Sequence, residues 1–407
     1  SHNVWLSFSV QVIDSREKRE TRLKLLIDMI KIDTTGGKEA ALAEMLVERL
    51  AAVGIEGRLA PVEAGRFNLV ACLPGRSRGN RLLLNAHLDT VPVGAGWTKD
   101  PFSAEIVGGK LYGRGSSDTK SSLAAMAMGM IEFAQEGIEL EHDLVLLGTA
   151  GEEKDMAGAR AFVAAGGMEG AGCLVVGEPT NHVGEAGCLE VVNTTKGCLL
   201  ADRRTKGVCS HGAKPEEGLN AVLLMAEYLD WLKKHPPYES FSPDPDLGQP
   251  TWAPTIIQGG KAANMIPDSC EAILDLRPIP GMTEEDALRP LREAAAVLWG
   301  TAWEKFIEIS ARFFLRPLRC EASHPALEKA MAAALSCGIK ANFRRFFGAS
   351  DVSYLCVDPA MPFFIFGPGI ESQAHKADEY LWVNDYWSAV DFYRNFALRQ
   401  AGGTAKR

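Results

Sequence analysis

The stretch Arg81-Leu82-Leu83-Leu84-Asn85-Ala86-His87-Leu88-Asp89 decides how the chain is read. Residues 81–86 form a nearly continuous apolar run, as expected of a central strand covered by helices on both faces. The run ends on His87 and Asp89, just past the carboxyl end of the strand, where open α/β sheets place their sites. Working outward, residues 68–73, 142–149, 173–176 and 362–366 read as further short buried strands. Helical apolar spacing appears at 18–32, 39–53, 120–136, 324–336 and 385–398, and Gly54 ends the second of these as a C-cap would. Strands alternating with helices predict an α/β fold.

The texture changes near Leu189. Residues 189–195, 199–205, 254–258 and 270–277 are more polar and alternate, with helical stretches at 219–233 and 284–298. That pattern suits a small sheet with one wet face and two helices on the other. Residues 236–250, rich in Pro, Asp and Ser, read as a loop. The buried texture returns after Leu318. The expected organisation is therefore a split α/β domain, 17–189 and 314–400, with a mostly parallel mixed sheet between helices. An α+β domain spanning 190–313 is inserted into it.

Composition narrows the function classes. The 407 residues carry 43 Lys and Arg against 52 Asp and Glu, a net charge of −9. That balance argues against nucleic acid as a partner, because phosphates require a basic face. No apolar stretch approaches the ~20 residues of a membrane span. The run at 4–6 lacks a basic leader and is too short for a signal peptide, and Ser1-His2 reads as a cleavage remnant. The 9 cysteines are scattered without a C-x-x-C pair. Neither a disulfide framework nor a thiolate metal site is expected, and a reducing cytoplasm is.

Other motifs repeat the first one's plan. Gly113-Arg114-Gly115-Ser116-Ser117-Asp118-Thr119-Lys120 puts Asp118 at a helix N-terminus, where a plain N-cap is the ordinary alternative. Thr149-Ala150-Gly151-Glu152-Glu153 places paired carboxylates past a buried strand. Gly177-Glu178-Pro179 and Ala374-His375-Lys376-Ala377-Asp378-Glu379 do the same for one donor each. Each has a bland reading as a solvated turn. Together they deliver His87, Asp118, Glu153, Glu178 and His375, two imidazoles and three carboxylates without a thiolate. That set suits two zinc ions bridged by one carboxylate, about 3.5–4 Å apart. Cobalt or manganese would accept the same donors. A carboxylate beside such a metal can take the proton of an attacking water.

The motifs H-L-D-T-V-P, G-R-G-S-S-D-T-K, G-E-E, G-E-P-T and A-H-K-A-D-E-Y, in that order, with Trp97 and Pro101-Phe102 between the first two, closely resemble one family. It is the dinuclear zinc hydrolase family of acetylornithine deacetylase, succinyl-diaminopimelate desuccinylase, carboxypeptidase G and the aminoacylases. The resemblance runs from about Lys24 to Ala397. It implies that His87 and Glu178 hold one zinc, Glu153 and His375 the other, and that Asp118 bridges them. Asp89 would orient His87, and Glu152 would be the general base. His211, in Ser210-His211-Gly212, would stabilise the oxyanion from a partner subunit. Arg277 would grip the substrate carboxylate, Asn264 would line the same pocket, and Ser350 would lie in a loop near the substrate. The inserted domain would serve as lid and dimerisation domain. The stretch 201–205 is more charged than the family's usual strand, which implies an altered dimer-forming surface.

The activity so implied is hydrolysis of the amide bond of a small N-acyl amino acid by a homodimer. A di- or tripeptidase or carboxypeptidase is the alternative, and a non-catalytic binding relative a weaker one. Gly113–Gly115 lacks the remainder of a phosphate loop, so a nucleotide-binding enzyme falls lower still. His142, His182, His235 and His324 match no motif and read as surface or capping residues.

Overall fold

The opening run forms the strand Ser77–His87 inside a nine-stranded sheet. The computed structural model describes residues 16–63 and 65–405, so the readings of Ser1-His2 and 4–6 lie outside the described residues. Ser77–His87 pairs in parallel with His142–Thr149 on one side and Ala171–Val176 on the other. Phe363–Ile365 extends the parallel set beyond Ala171–Val176. Arg66–Leu73 and Glu56–Glu63 continue the sheet antiparallel on the opposite flank. The register pairs His87 with Thr149, Asn85 with Val176 and Ile365 with Val176. The parallel strands therefore finish at one level, and the loops after them open along one edge.

The helix Lys120–Glu136 is rich in Ala, Ser and Met and is buried from Lys120 through Phe133. Helices Arg16–Ile30 and Val383–Gln400 pack against it. The buried Glu132 ties all three together, accepting from Arg22 Nε at 2.6 Å and Nη2 at 3.0 Å, and from Arg394. Each arginine supplies part of the compensation for this buried charge, so losing one weakens the tie between the helices without leaving Glu132 unpaired.

A second hydrophobic core, containing Leu199, Met225, Leu274, Leu276 and Leu291, belongs to the inserted unit. Its four-stranded antiparallel sheet runs Thr251–Gly259, Ser269–Arg277, Cys198–Lys206, Ile307–Leu315. Helices Ala221–Lys234 and Glu284–Trp299 pack against it.

Two expectations are corrected here. The strand Val191–Thr195, read from its polarity as part of the small sheet, lies in the large sheet and is buried along its whole length. Leu318–Arg319 and Phe343–Phe346 also pair with it. Asn193 finds a partner inside, its Nδ2 donating to the Cys320 carbonyl at 2.8 Å. The fourth strand of the small sheet is Ile307–Leu315, whose alternation the sequence reading passed over.

The charged stretch 201–205 divides between two faces. Asp202 and Arg204 lie on the wet face, paired with Arg312 at 2.7 Å and Glu271 at 3.7 Å. Arg203 points inward, fully buried, and its Nε and Nη2 lack a hydrogen-bond partner. His324 caps its helix, accepting the Ala326 N–H at 3.1 Å. No helix among the described residues is long and apolar enough to cross a membrane.

Candidate active site

The edge where the parallel strands finish gathers the predicted donors. His87, the last residue of its strand, is buried, and its Nε2 lies 3.0 Å from Asp118 Oδ1 and 3.8 Å from Glu178 Oε2. His375 Nε2 lies 3.3 Å from Asp118 Oδ2 and 3.0 Å from Glu153 Oε2. The two oxygens of Asp118 thus face two different imidazoles. Donor atoms of His87, Asp118 and Glu153, and separately of His87, Glu152 and Glu178, fall within 4.8 Å of one another. These residues come from the ends of three parallel strands, the start of helix Lys120–Glu136 and the loop after Phe363–Ile365.

Asp89 meets His87 through its backbone and not its carboxylate. His87 Nδ1 meets the backbone carbonyl of Asp89 at 2.9 Å, while the Asp89 carboxylate is 3.7 Å away at its nearest oxygen. That carboxylate instead accepts the N–H groups of Gly151, Glu152 and Glu153 at 2.9, 3.1 and 3.3 Å. A carboxylate with backbone donors converging on it fixes the turn it holds. The Asp89 carboxylate is thus bonded to the turn that carries Glu152 and Glu153, and its carbonyl to His87.

The field is dense with negative charge. Burial and the neighbouring Glu178 push the Glu152 carboxyl well above the usual carboxylate range, and burial does the same to Glu178. Asp118 goes the other way: burial is outweighed by its bonds to His375 and His87. Those bonds have the reciprocal effect on the imidazoles. Asp118 and Glu153 raise His375 to about 10, and Asp118 and Glu178 raise His87 despite its burial. Beneath the site Asp351, pushed up to about 6 by burial, accepts from Thr149 Oγ1, and its Oδ1 has no partner. Nothing in the sequence around Asp351 marks it, since only burial distinguishes it.

Among the described residues, the remaining predicted residues make no hydrogen bond to this cluster. His211 is exposed on the short ribbon Ser210–His211 and Met265–Ile266, its Nδ1 accepting the Ala213 N–H at 3.1 Å. Asn264 is on the same ribbon, its carbonyl accepting from Gly212 at 2.7 Å. Neither bonds to the donor cluster among the described residues. Arg277 makes a bidentate pair with Asp275 of its own strand, at 2.7 and 2.9 Å. A substrate carboxylate would have to compete for that fork. Ser350 is buried and its Oγ has no partner.

Sheet, inserted domain and donor set together define a metal-dependent hydrolase, and the chain belongs to peptidase family M20/M25/M40, whose model matches residues 83–399. The acetylornithine deacetylase of Proteus mirabilis (strain HI4320) is 33% identical over 358 residues, covering 85% of this chain and 86% of that protein. Among solved structures, the aminopeptidase PepT of Bacillus cereus ATCC 10987 superposes with a TM-score of 0.75 at 18% identity, covering 94% of this chain and 99% of that one. The YXEP protein of Bacillus subtilis, a dinuclear metal binding peptidase of the M20 family, gives 0.69 at 17% identity over 94% and 98%. At these identities the two structures speak for the fold alone.

Proposed function

We propose that this hydrolase cleaves the amide bond of an N-acyl amino acid at a site holding two zinc ions. The observation that carries the reading is Asp118, with one carboxylate oxygen 3.0 Å from His87 and the other 3.3 Å from His375. The residues fit the metal on charge as well as on donor type. Asp118, Glu152, Glu153 and Glu178 crowd two imidazoles in a largely buried space, and two dications would relieve the repulsion that raises Glu152 and Glu178. His87 and Glu178 would hold one ion, Glu153 and His375 the other, and Asp118 both.

Bound there, the metal pair would polarise the substrate carbonyl and make water acidic near neutral pH. The protein's own part is proton handling and placement. Glu152, raised by burial, takes the water proton on its carboxylate and returns it to the leaving amine nitrogen. Asp89 holds Glu152 by its backbone N–H. Arg277 receives the substrate carboxylate in exchange for Asp275, and Asn264 and Ser350 line the approach. His211 meets the oxyanion. Its exposed ribbon supports delivery by a second copy in a homodimer. The edge strand Thr251–Gly259, with Ile256 and Ile257 exposed, offers unpaired backbone for that contact. Cysteines present as free thiols support a reducing, cytoplasmic setting.

The deacylase reading rests on the 33% identical relative; short peptides are the alternative substrates. Metal-reconstituted turnover on N-acetyl, N-succinyl and N-formyl amino acids against dipeptides and tripeptides tests it. Acyl amino acids should turn over fastest, and exclusive cleavage of peptides would refute the substrate assignment.

Metal loading should also release protons. A histidine must lose its proton to ligate, and in the metal-free chain His375 keeps its proton to about pH 10, with His87 raised as well. Apparent zinc affinity should therefore strengthen as pH rises from 6 towards 9. Calorimetry at pH 7 in buffers of different ionisation heat should report net proton release, with His87, His375 and the raised Glu178 contributing. Loading without proton release would remove the histidines from the ligand set.

A further inference from the structure

The proposed chemistry leaves unused a fully buried carboxylate on the same turn as His375. Glu379 Oε1 accepts the backbone N–H groups of Ser117 and Asp118 at 2.8 and 3.0 Å. Its Oε2 accepts the N–H of Gly115 at 3.1 Å and Nη1 of the buried Arg114 at 2.5 Å. Each oxygen is thus met by two donors, three of the four from the main chain that carries Asp118. Mere neutralisation of Arg114 would need none of those three.

The ties extend further. Arg114 Nη2 donates to the Val93 carbonyl at 3.1 Å, and its guanidinium lies 5.2 Å from the centre of the Trp97 ring. Trp97 Nε1 donates to the same carbonyl at 2.8 Å. Beside Glu379, the Asp378 carboxylate accepts Thr98 N–H at 2.9 Å and Thr98 Oγ1 at 2.7 Å. His375 and Asp378 both sit at positive φ, 65° and 51°, a conformation non-glycine residues hold only when their surroundings impose it. One turn is therefore stitched to the loop after His87 and to the loop of Asp118.

We propose that Glu379 is a positioning residue that fixes Asp118 relative to His375, and through Arg114 relative to the His87 loop, so that ligands from three loops are set as one unit. The proposal rests on the two-zinc reading above. Both metal positions would feel the loss of Glu379, because Asp118 faces both imidazoles.

The test is equilibrium dialysis of the metal-free protein against buffered zinc, with far-ultraviolet circular dichroism and turnover on the same samples. The unaltered chain should bind two zinc ions. Glu379→Gln turns an acceptor into a donor facing N–H groups, and should weaken zinc binding about 10–100-fold, as loss of a residue supporting metal ligands does. Excess zinc should recover most of its turnover, because Glu152 and the ligands themselves are intact. If Glu379→Gln does not fold, Glu379→Asp carries the same comparison, since it keeps the charge but falls a methylene short. A folded variant binding two zinc ions with unaltered affinity would overturn the proposal. An unaltered chain that binds no zinc would instead refute the two-metal reading beneath it.

Discussion

Glu152→Gln is expected to lower kcat by about 10²–10⁴-fold with both metal ions still bound. The amide matches the carboxylate in size and can still accept the water's hydrogen bond, but it cannot take the proton. Its backbone N–H remains on Asp89, so the turn and Glu153 stay in place. Turnover and metal content measured on one preparation check this. An interaction made only in the transition state lowers kcat and kcat/KM together, and that joint fall is the expected signature. Near-full activity with metal present would mean that another group is the base. Asp351 would then be the next to test, being buried beneath the site and raised to about 6.

Asp118→Ala should have the larger effect. Asp118 faces both imidazoles, so its loss removes a donor from both metal positions at once. It also leaves His87 and His375 without the carboxylate that favours their charged forms. Metal content should fall below one ion per chain under dialysis that leaves two in the unaltered protein, with turnover at background. Far-ultraviolet circular dichroism should be nearly unchanged, because the strands that deliver the donors belong to a core that Asp118 does not build. Two retained ions in the variant would deny the bridge.

Much of this arrangement is legible in the amino-acid sequence, for a definite reason. A parallel strand covered on both faces must be apolar along its length, so the first polar donor after it marks the edge of the sheet. His87, Glu153 and Glu178 were found by that rule, and the structure brings them to one edge. The rule fails where polar residues have internal partners. Val191–Thr195 looks like a wet strand and is buried, because Asn193 bonds to Cys320 within the large sheet.

Roles that depend on which atom points where were not legible either. Nothing in H-x-D says that the carbonyl of Asp89 would meet His87 while its carboxylate holds Gly151–Glu153. The pairing of Arg277 with Asp275 follows from their i, i+2 spacing on one face of a strand, yet spacing alone does not close the fork. Glu379 was quoted within its motif and passed over, because burial of a carboxylate against a loop 260 residues earlier leaves no local mark. Its partners Ser117 and Asp118 are separated from it by 262 and 261 positions.

The central claim is that donors from separate loops enclose two adjacent cations. Anomalous diffraction at the zinc edge, on crystals grown with zinc, tests it most directly. The expected result is two peaks about 3.5–4 Å apart, with Asp118 between them, His87 and Glu178 on one, and Glu153 and His375 on the other. A single peak, or peaks away from these five side chains, would contradict it.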